Sequence, residues 1–203
     1  MYNIIRLLIS FIFLACSFIL IKKSKAIRKV TLYIVFASLS FVLSVVLMFL
    51  PIENLFVTFD SPKAAYEYKN FGKSNIELIV SGDECDFVID RNNDTFTHSI
   101  IPKTENGWKI GIGTDFKSIA QRISNGIVVY VYQYKNTRDY FITILDTNGG
   151  KATVSDGYNT EFFSLERYNN SLEKPFVTYY AHITDLNGYS VTVNDNVIVL
   201  GNQ

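Results

Sequence analysis

The sequence predicts an α+β protein, mostly β, in which a two-helix transmembrane hairpin precedes an antiparallel β-rich extracytoplasmic region. Three observations predict it. Two long apolar runs lie near the N-terminus, a dense basic cluster separates them, and the rest of the 203 residues alternates in hydropathy between turn signals. Charge is divided the same way. Residues 1–50 hold six basic side chains and no acid, whereas residues 51–203 hold 13 basic and 19 acidic ones. Such asymmetry fits two surroundings better than one uniform soluble body.

The first apolar run covers residues 4–21 and the second residues 30–50, the latter without a charge. At about 1.5 Å of rise per residue, a 20-residue helix is about 30 Å long, the thickness of a bilayer core. A soluble helix of that length needs a polar face, and the second run offers only Thr31, Ser38, Ser40 and Ser44. Ser40 and Ser44, with Ala37 nearby, have the small-xxx-small spacing that lets helices approach closely, and packing of the second helix on the first is the simplest use for it. Arg6 sits near one edge and must snorkel to the interface.

Orientation follows from the loop at residues 22–29, Lys22-Lys23-Ser24-Lys25-Ala26-Ile27-Arg28-Lys29. Basic loops stay in the cytoplasm, so the expected localisation is a two-pass plasma-membrane protein with both termini extracytoplasmic. A cleavable leader ending near Ala15 and Ser17 is the competing reading, but it strands the basic loop outside. Phe13-Leu14-Ala15-Cys16 approaches a bacterial lipidation pattern, yet it has Phe13 at the aliphatic position, and apart from Ser17 the residues after Cys16 stay apolar through Ile21. The short tails and the two cysteines give the chain a bacterial style.

Residues 1–52 are thus read as the hairpin, 56–113 as a small α+β unit, 114–126 as a connector and 127–203 as a sandwich-like unit. In the small unit Ser61 is a natural N-cap, Pro62 fits the first helical turn and Gly72 the stop. Ala64, Tyr68 and Phe71 share the face expected to dock on a sheet. Four short strands follow near 76–80, 86–91, 95–101 and 108–110, the last after an Asn106-Gly107 hairpin signal. The connector has Phe116, Ile119, Ala120 and Ile123 at helical spacing and Asn125-Gly126 as its end, which favours a short helix over a loop. Seven strands are then expected at 127–134, 139–146, 152–155, 161–167, 175–183, 189–193 and 197–200.

No catalytic, cofactor-binding or metal set is assigned. Asp90-Arg91-Asn92-Asn93-Asp94 begins like a calcium loop, but Thr95 and Ile101 stand where glycine and a bidentate acid are needed. Asp83-Glu84-Cys85-Asp86 groups three acids and a thiol without histidines beside them. His98 and His182 lie far apart on alternating strands, and a Cys85–His98 thiol–imidazole pair has no local signature. The glycines at 111 and 113 lack the rest of a phosphate loop. Asn93-Asp94-Thr95 and Asn169-Asn170-Ser171 match a glycosylation pattern that matters only in a eukaryotic secretory host.

The feature left for recognition is aromatic. Tyr130, Tyr132 and Tyr134 share one face of a strand. Exposed, they form a platform for a partner strand, peptide or sugar ring; covered, they are cross-strand packing, the preferred reading. The expectation is a non-enzymatic membrane-anchored protein contacting an envelope protein, a glycan or another extracellular ligand. The alternatives are an envelope enzyme whose carboxylates meet only in the fold, and an accessory subunit of a membrane complex. An acidic outer part excludes nucleic acid as a partner.

Overall fold

The computed structural model describes residues 2–23, 29–49, 51–70, 72, 74–92, 95–112, 116–167 and 175–201. Most of the basic loop, the glycosylation patterns except Thr95, Asn93 and Asp94 of the calcium-like segment, and Phe71, Gly113 and Tyr168 lie outside them. Among the described residues are three α-helices and twelve strands, with every strand pairing antiparallel.

Helices α1 (Tyr2–Lys23) and α2 (Lys29–Phe49) lie antiparallel against each other. Phe18 meets Tyr33, Phe13 meets Phe36, and the Ser40 hydroxyl donates to the Ser10 carbonyl at 3.3 Å. Ser10, Ser17 and Ser40 are buried between the helices, where small side chains permit close approach. The outward surface is apolar, with Phe11, Leu20, Val30, Ile34 and Phe41 all exposed. Among the described residues one stretch, Lys29–Leu47, is long and apolar enough to cross a membrane, with mean hydropathy 2.4 and only 11% of it buried.

Helix α3 (Pro62–Lys69) starts as predicted, the Ser61 side chain accepting from the Ala64 N–H at 3.1 Å. The docked face is rotated from the expected one. Ala65 and Tyr66, not Ala64, are buried against Val88 and Ile101, and Tyr68 packs on Phe59. The helix has only about two turns, and Tyr66 is the largest side chain that it buries against the sheet.

That sheet is the meander β1 (Ile76–Ser81), β2 (Cys85–Asn92), β3 (Thr95–Thr104) and β4 (Gly107–Trp108). The second sheet has the order β5-β6-β7-β10-β9, with β5 Phe116–Ser124, β6 Ile127–Tyr134, β7 Tyr140–Asp146, β9 Phe163–Arg167 and β10 Phe176–Ile183. The third contains β12 (Asn196–Val199), β11 (Ser190–Val193) and β8 (Val154–Asp156).

The expected helix at 114–126 is a strand instead. Residues 116–124 pair with β6 through an Asn125-Gly126 turn in which both residues have positive φ, the geometry a two-residue hairpin requires. A bulge between Ser118 and Ala120 shifts the register and breaks the period of two. β5 is also an edge strand with most side chains exposed, so no buried face imposed alternation on its sequence.

The five-stranded sheet is covered on both faces. Val129, Val131, Ile142, Ile144 and Val177 pack toward Val191, Val193 and Ile198 of the three-stranded sheet, so these two sheets meet face to face. On the other face Phe141, Tyr134 and Tyr180 meet Phe87, Ile89, Ile100 and Cys85 of the first sheet. Side chains from both sides of the sequence connector therefore fill one buried cluster.

Candidate functional site

The first candidate site is the ledge where the five-stranded sheet emerges from beneath β3. Strand pairing aligns Tyr130, Thr143 and Tyr180 in one row across β6, β7 and β10, and aligns Leu145 and Thr178 in the next. With Phe96 and His98 from β3, and Arg167 and Phe176 from the β9–β10 end, these rows bound an open groove of about 280 Å³. The sequence-predicted tyrosines divide here. Tyr134 is 6% exposed and belongs to the packing between sheets, while Tyr130 and Tyr132 line the groove. Tyr132 is stacked between Phe116 and Tyr130, at centroid separations of 4.5 and 6.0 Å.

Polar groups reach this apolar floor. The Tyr180 hydroxyl lies 3.4 Å from His98 Nε2. Burial pushes the His98 pKa down to about 4, so the ring is neutral at pH 7. Burial likewise raises the Tyr132 and Tyr180 phenols, which remain protonated donors. Thr143 is 5% exposed, and its Oγ1 has no hydrogen-bond partner among the described residues. A buried hydroxyl without a partner is uncommon and asks for one. The Arg167 guanidinium stands over the Phe176 ring at 5.5 Å and supplies positive charge at the rim.

The second arrangement was not legible in the sequence. Asp139, beside the β6–β7 turn, places a side chain with no exposure under the β1–β2 turn. Its carboxylate accepts from the N–H groups of Asp83, Glu84 and Cys85 at 2.8, 2.7 and 3.0 Å, and from His182 Nε2 at 2.8 Å. Gly82 makes the approach possible, since a Cβ there would lie 2.8 Å from the carboxyl carbon. Burial alone would raise this acid, but the hydrogen bonds from His182, from two backbone amides and from Cys85 outweigh it and hold the pKa well below the usual carboxylate range. Asp139 is thus an anion that can only accept, which places the proton of the pair on His182 Nε2.

Cys85 and His98 do not form the thiol–imidazole pair considered from sequence. The Cys85 thiol donates to Asp139 Oδ2 at 3.4 Å, and burial together with that anion raises its pKa, the opposite of nucleophile activation. His98 lies instead against Phe87, Tyr132 and Tyr180. His182 lines a cleft of about 320 Å³ with Tyr158, Thr160, Asp185 and Tyr189. Among the described residues no group of three or more His, Cys, Asp or Glu side chains is placed to hold a metal ion.

No protein-family model, curated protein or solved structure matches this chain.

Proposed function

We propose that this chain is a two-pass plasma-membrane protein of a bacterial envelope, with both termini outside, that presents its β-rich outer part as a non-enzymatic binding module. The observation that carries the reading is the groove at Tyr130, Tyr132 and Tyr180, with the unpaired Thr143 hydroxyl in its floor. Aromatic faces and hydroxyl tips suit a ligand that is apolar on one surface and polar at its rim, such as a glycan or an extended segment of an envelope protein. Tethering would raise the local concentration of the module at the membrane.

Two measurements test this. Photo-crosslinkers placed at Tyr130 in the intact membrane are expected to capture an envelope component, and Thr143→Val, nearly isosteric, should weaken that capture by about tenfold, the worth of one buried hydrogen bond. Capture unaffected by Thr143→Val would remove the groove from the proposal. A reporter that is active only outside the cytoplasm, fused after the last residue, should be active; activity only of a cytoplasmic reporter refutes the orientation.

A second reading, an envelope hydrolase, has one observation in its favour: a buried carboxylate orients His182 in an open cleft. Turnover of envelope glycans or peptides by the purified chain, abolished by His182→Gln without loss of fold, would replace the binding reading.

A further inference from the structure

We infer that residues 52–57 seat the outer part directly on the bilayer surface, with Leu55 and Phe56 as lipid-contacting side chains. This inference rests on the proposal that α2 spans the membrane. Phe56 is 86% exposed and Leu55 78%, more than any large apolar side chain described on either long helix, where Val30 reaches 72%. On the sheets Ile123, Tyr158 and Val197 are also exposed, at 70%, 67% and 62%, but singly; Leu55 and Phe56 are adjacent, and a contiguous apolar patch marks a contact surface.

Chain continuity names the occupant. Helix α2 ends at Phe49, and Leu55 follows six residues later. Even fully extended, six residues reach no further than about 20 Å. Here the path is shorter, because residues Ile52–Leu55 form a 3-10 turn. Two exposed apolar side chains so close to the end of a spanning helix lie within reach of the headgroup and upper acyl layer, where aromatic and aliphatic groups partition.

Nor is the segment a loose tether. The Asn54 side chain imitates a backbone: its Nδ2 donates to the Ile110 carbonyl at 2.9 Å, and its Oδ1 accepts from the Ile110 N–H at 2.8 Å. Lys109 Nζ donates to the Val57 carbonyl and the Thr58 hydroxyl, at 2.7 and 2.8 Å. Phe59 and Trp108 exchange a reciprocal pair of backbone hydrogen bonds, each 2.9 Å. The chain is thus fixed to the first sheet at residues 54, 57, 58 and 59, while 55 and 56 point away from it. A flexible linker would let the outer part tumble. This clamp makes Leu55 and Phe56 part of the outer part's own surface, so their contact with lipid brings that surface to the bilayer.

The test uses the full chain in lipid nanodiscs. Phe56→Trp and, separately, Val46→Trp on α2 add a fluorophore to the native Trp108, whose emission is subtracted using the parent chain. Acyl chains brominated at shallow or deep positions act as quenchers. We expect the emission added at 56 to shift to shorter wavelength and to be quenched by shallow bromines, and the emission added at 46 to be quenched as well. Quenching at 46 without quenching at 56 overturns the seating and leaves the spanning helix intact. Absence of quenching at both positions overturns the spanning reading and the seating with it.

Discussion

Replacing Asp139 by asparagine is expected to destabilise the outer part by roughly 3–5 kcal/mol, the usual cost of breaking a buried ionic arrangement by changing one member. The side chain has no exposure and is the common acceptor for three successive backbone N–H groups, a thiol and an imidazole. Asparagine keeps the shape but removes the charge and turns an NH₂ group toward donors. Some N–H groups of the β1–β2 turn are then buried without an acceptor. Urea unfolding of the full chain in micelles, followed by Trp108 fluorescence, measures the loss; a midpoint within error of the parent would show that the carboxylate is dispensable. The same site gives a pH dependence. Because the folded-state pKa lies below the unfolded one, the stabilisation is complete above about pH 5. It is lost progressively as the pH falls through the ordinary carboxylate value of about 3.9 and below. Asp139→Asn should flatten that acid limb.

Truncation of Phe87 to alanine is expected to cost about 3–5 kcal/mol, the range for removing a buried aromatic ring. Phe87 has no exposure and stacks on Phe141 at 5.0 Å, with Phe116, Tyr132, His98 and Tyr180 around it. These neighbours come from both sheets, so the resulting cavity lies at their contact and cannot be closed by moving one strand. Phe56→Ala is the matched control. Its ring is 86% exposed, and in micelles its truncation should leave the unfolding midpoint nearly unchanged. Equal effects from the two would mean that the sheets do not share the Phe87 cluster.

The mostly-β α+β character could be read from local patterns. A hairpin does follow β3, but its turn is Glu105-Asn106, one residue earlier than the expected Asn106-Gly107 pair, and Gly107 opens β4. Ser61 does cap α3, and turns near 147–150, 157 and 186–188 separate strands near their predicted limits. Each signal acts over a few residues: a hydroxyl reaches an N–H three positions on, and a turn needs residues that tolerate positive φ. Where that local logic failed, the environment differed from the assumed one. Phe116, Ile119, Ala120 and Ile123 imitate a helix because a bulged edge strand has no buried face to enforce alternation. The Asn125-Gly126 pair is a hairpin signal that the helical spacing outweighed.

The sites were legible in part. Tyr130 and Tyr132 could be placed on one strand face, but which of the tyrosines would stay open depended on how far the first sheet overlaps the second. Asp139 and His182 are 43 residues apart in sequence, and the turn that binds Asp139 lies more than 50 residues before it. No spacing rule links such positions, because β7–β10 pairing sets Asp139 beside His182 and packing of the first sheet on the second brings the β1–β2 turn over them.

The amino-acid order by itself determined the apolar N-terminal helices, the strand-rich remainder and the turns, because hydropathy period and backbone preference are properties of neighbouring residues. Stacking of the sheets decided the rest. It buried Tyr134 while leaving Tyr130 on a ledge, left the Thr143 hydroxyl unpaired, and brought one carboxylate beneath a turn far away in the chain. Those outcomes depend on which surfaces meet, and contact between distant surfaces is set by the packing of the whole rather than by any local stretch.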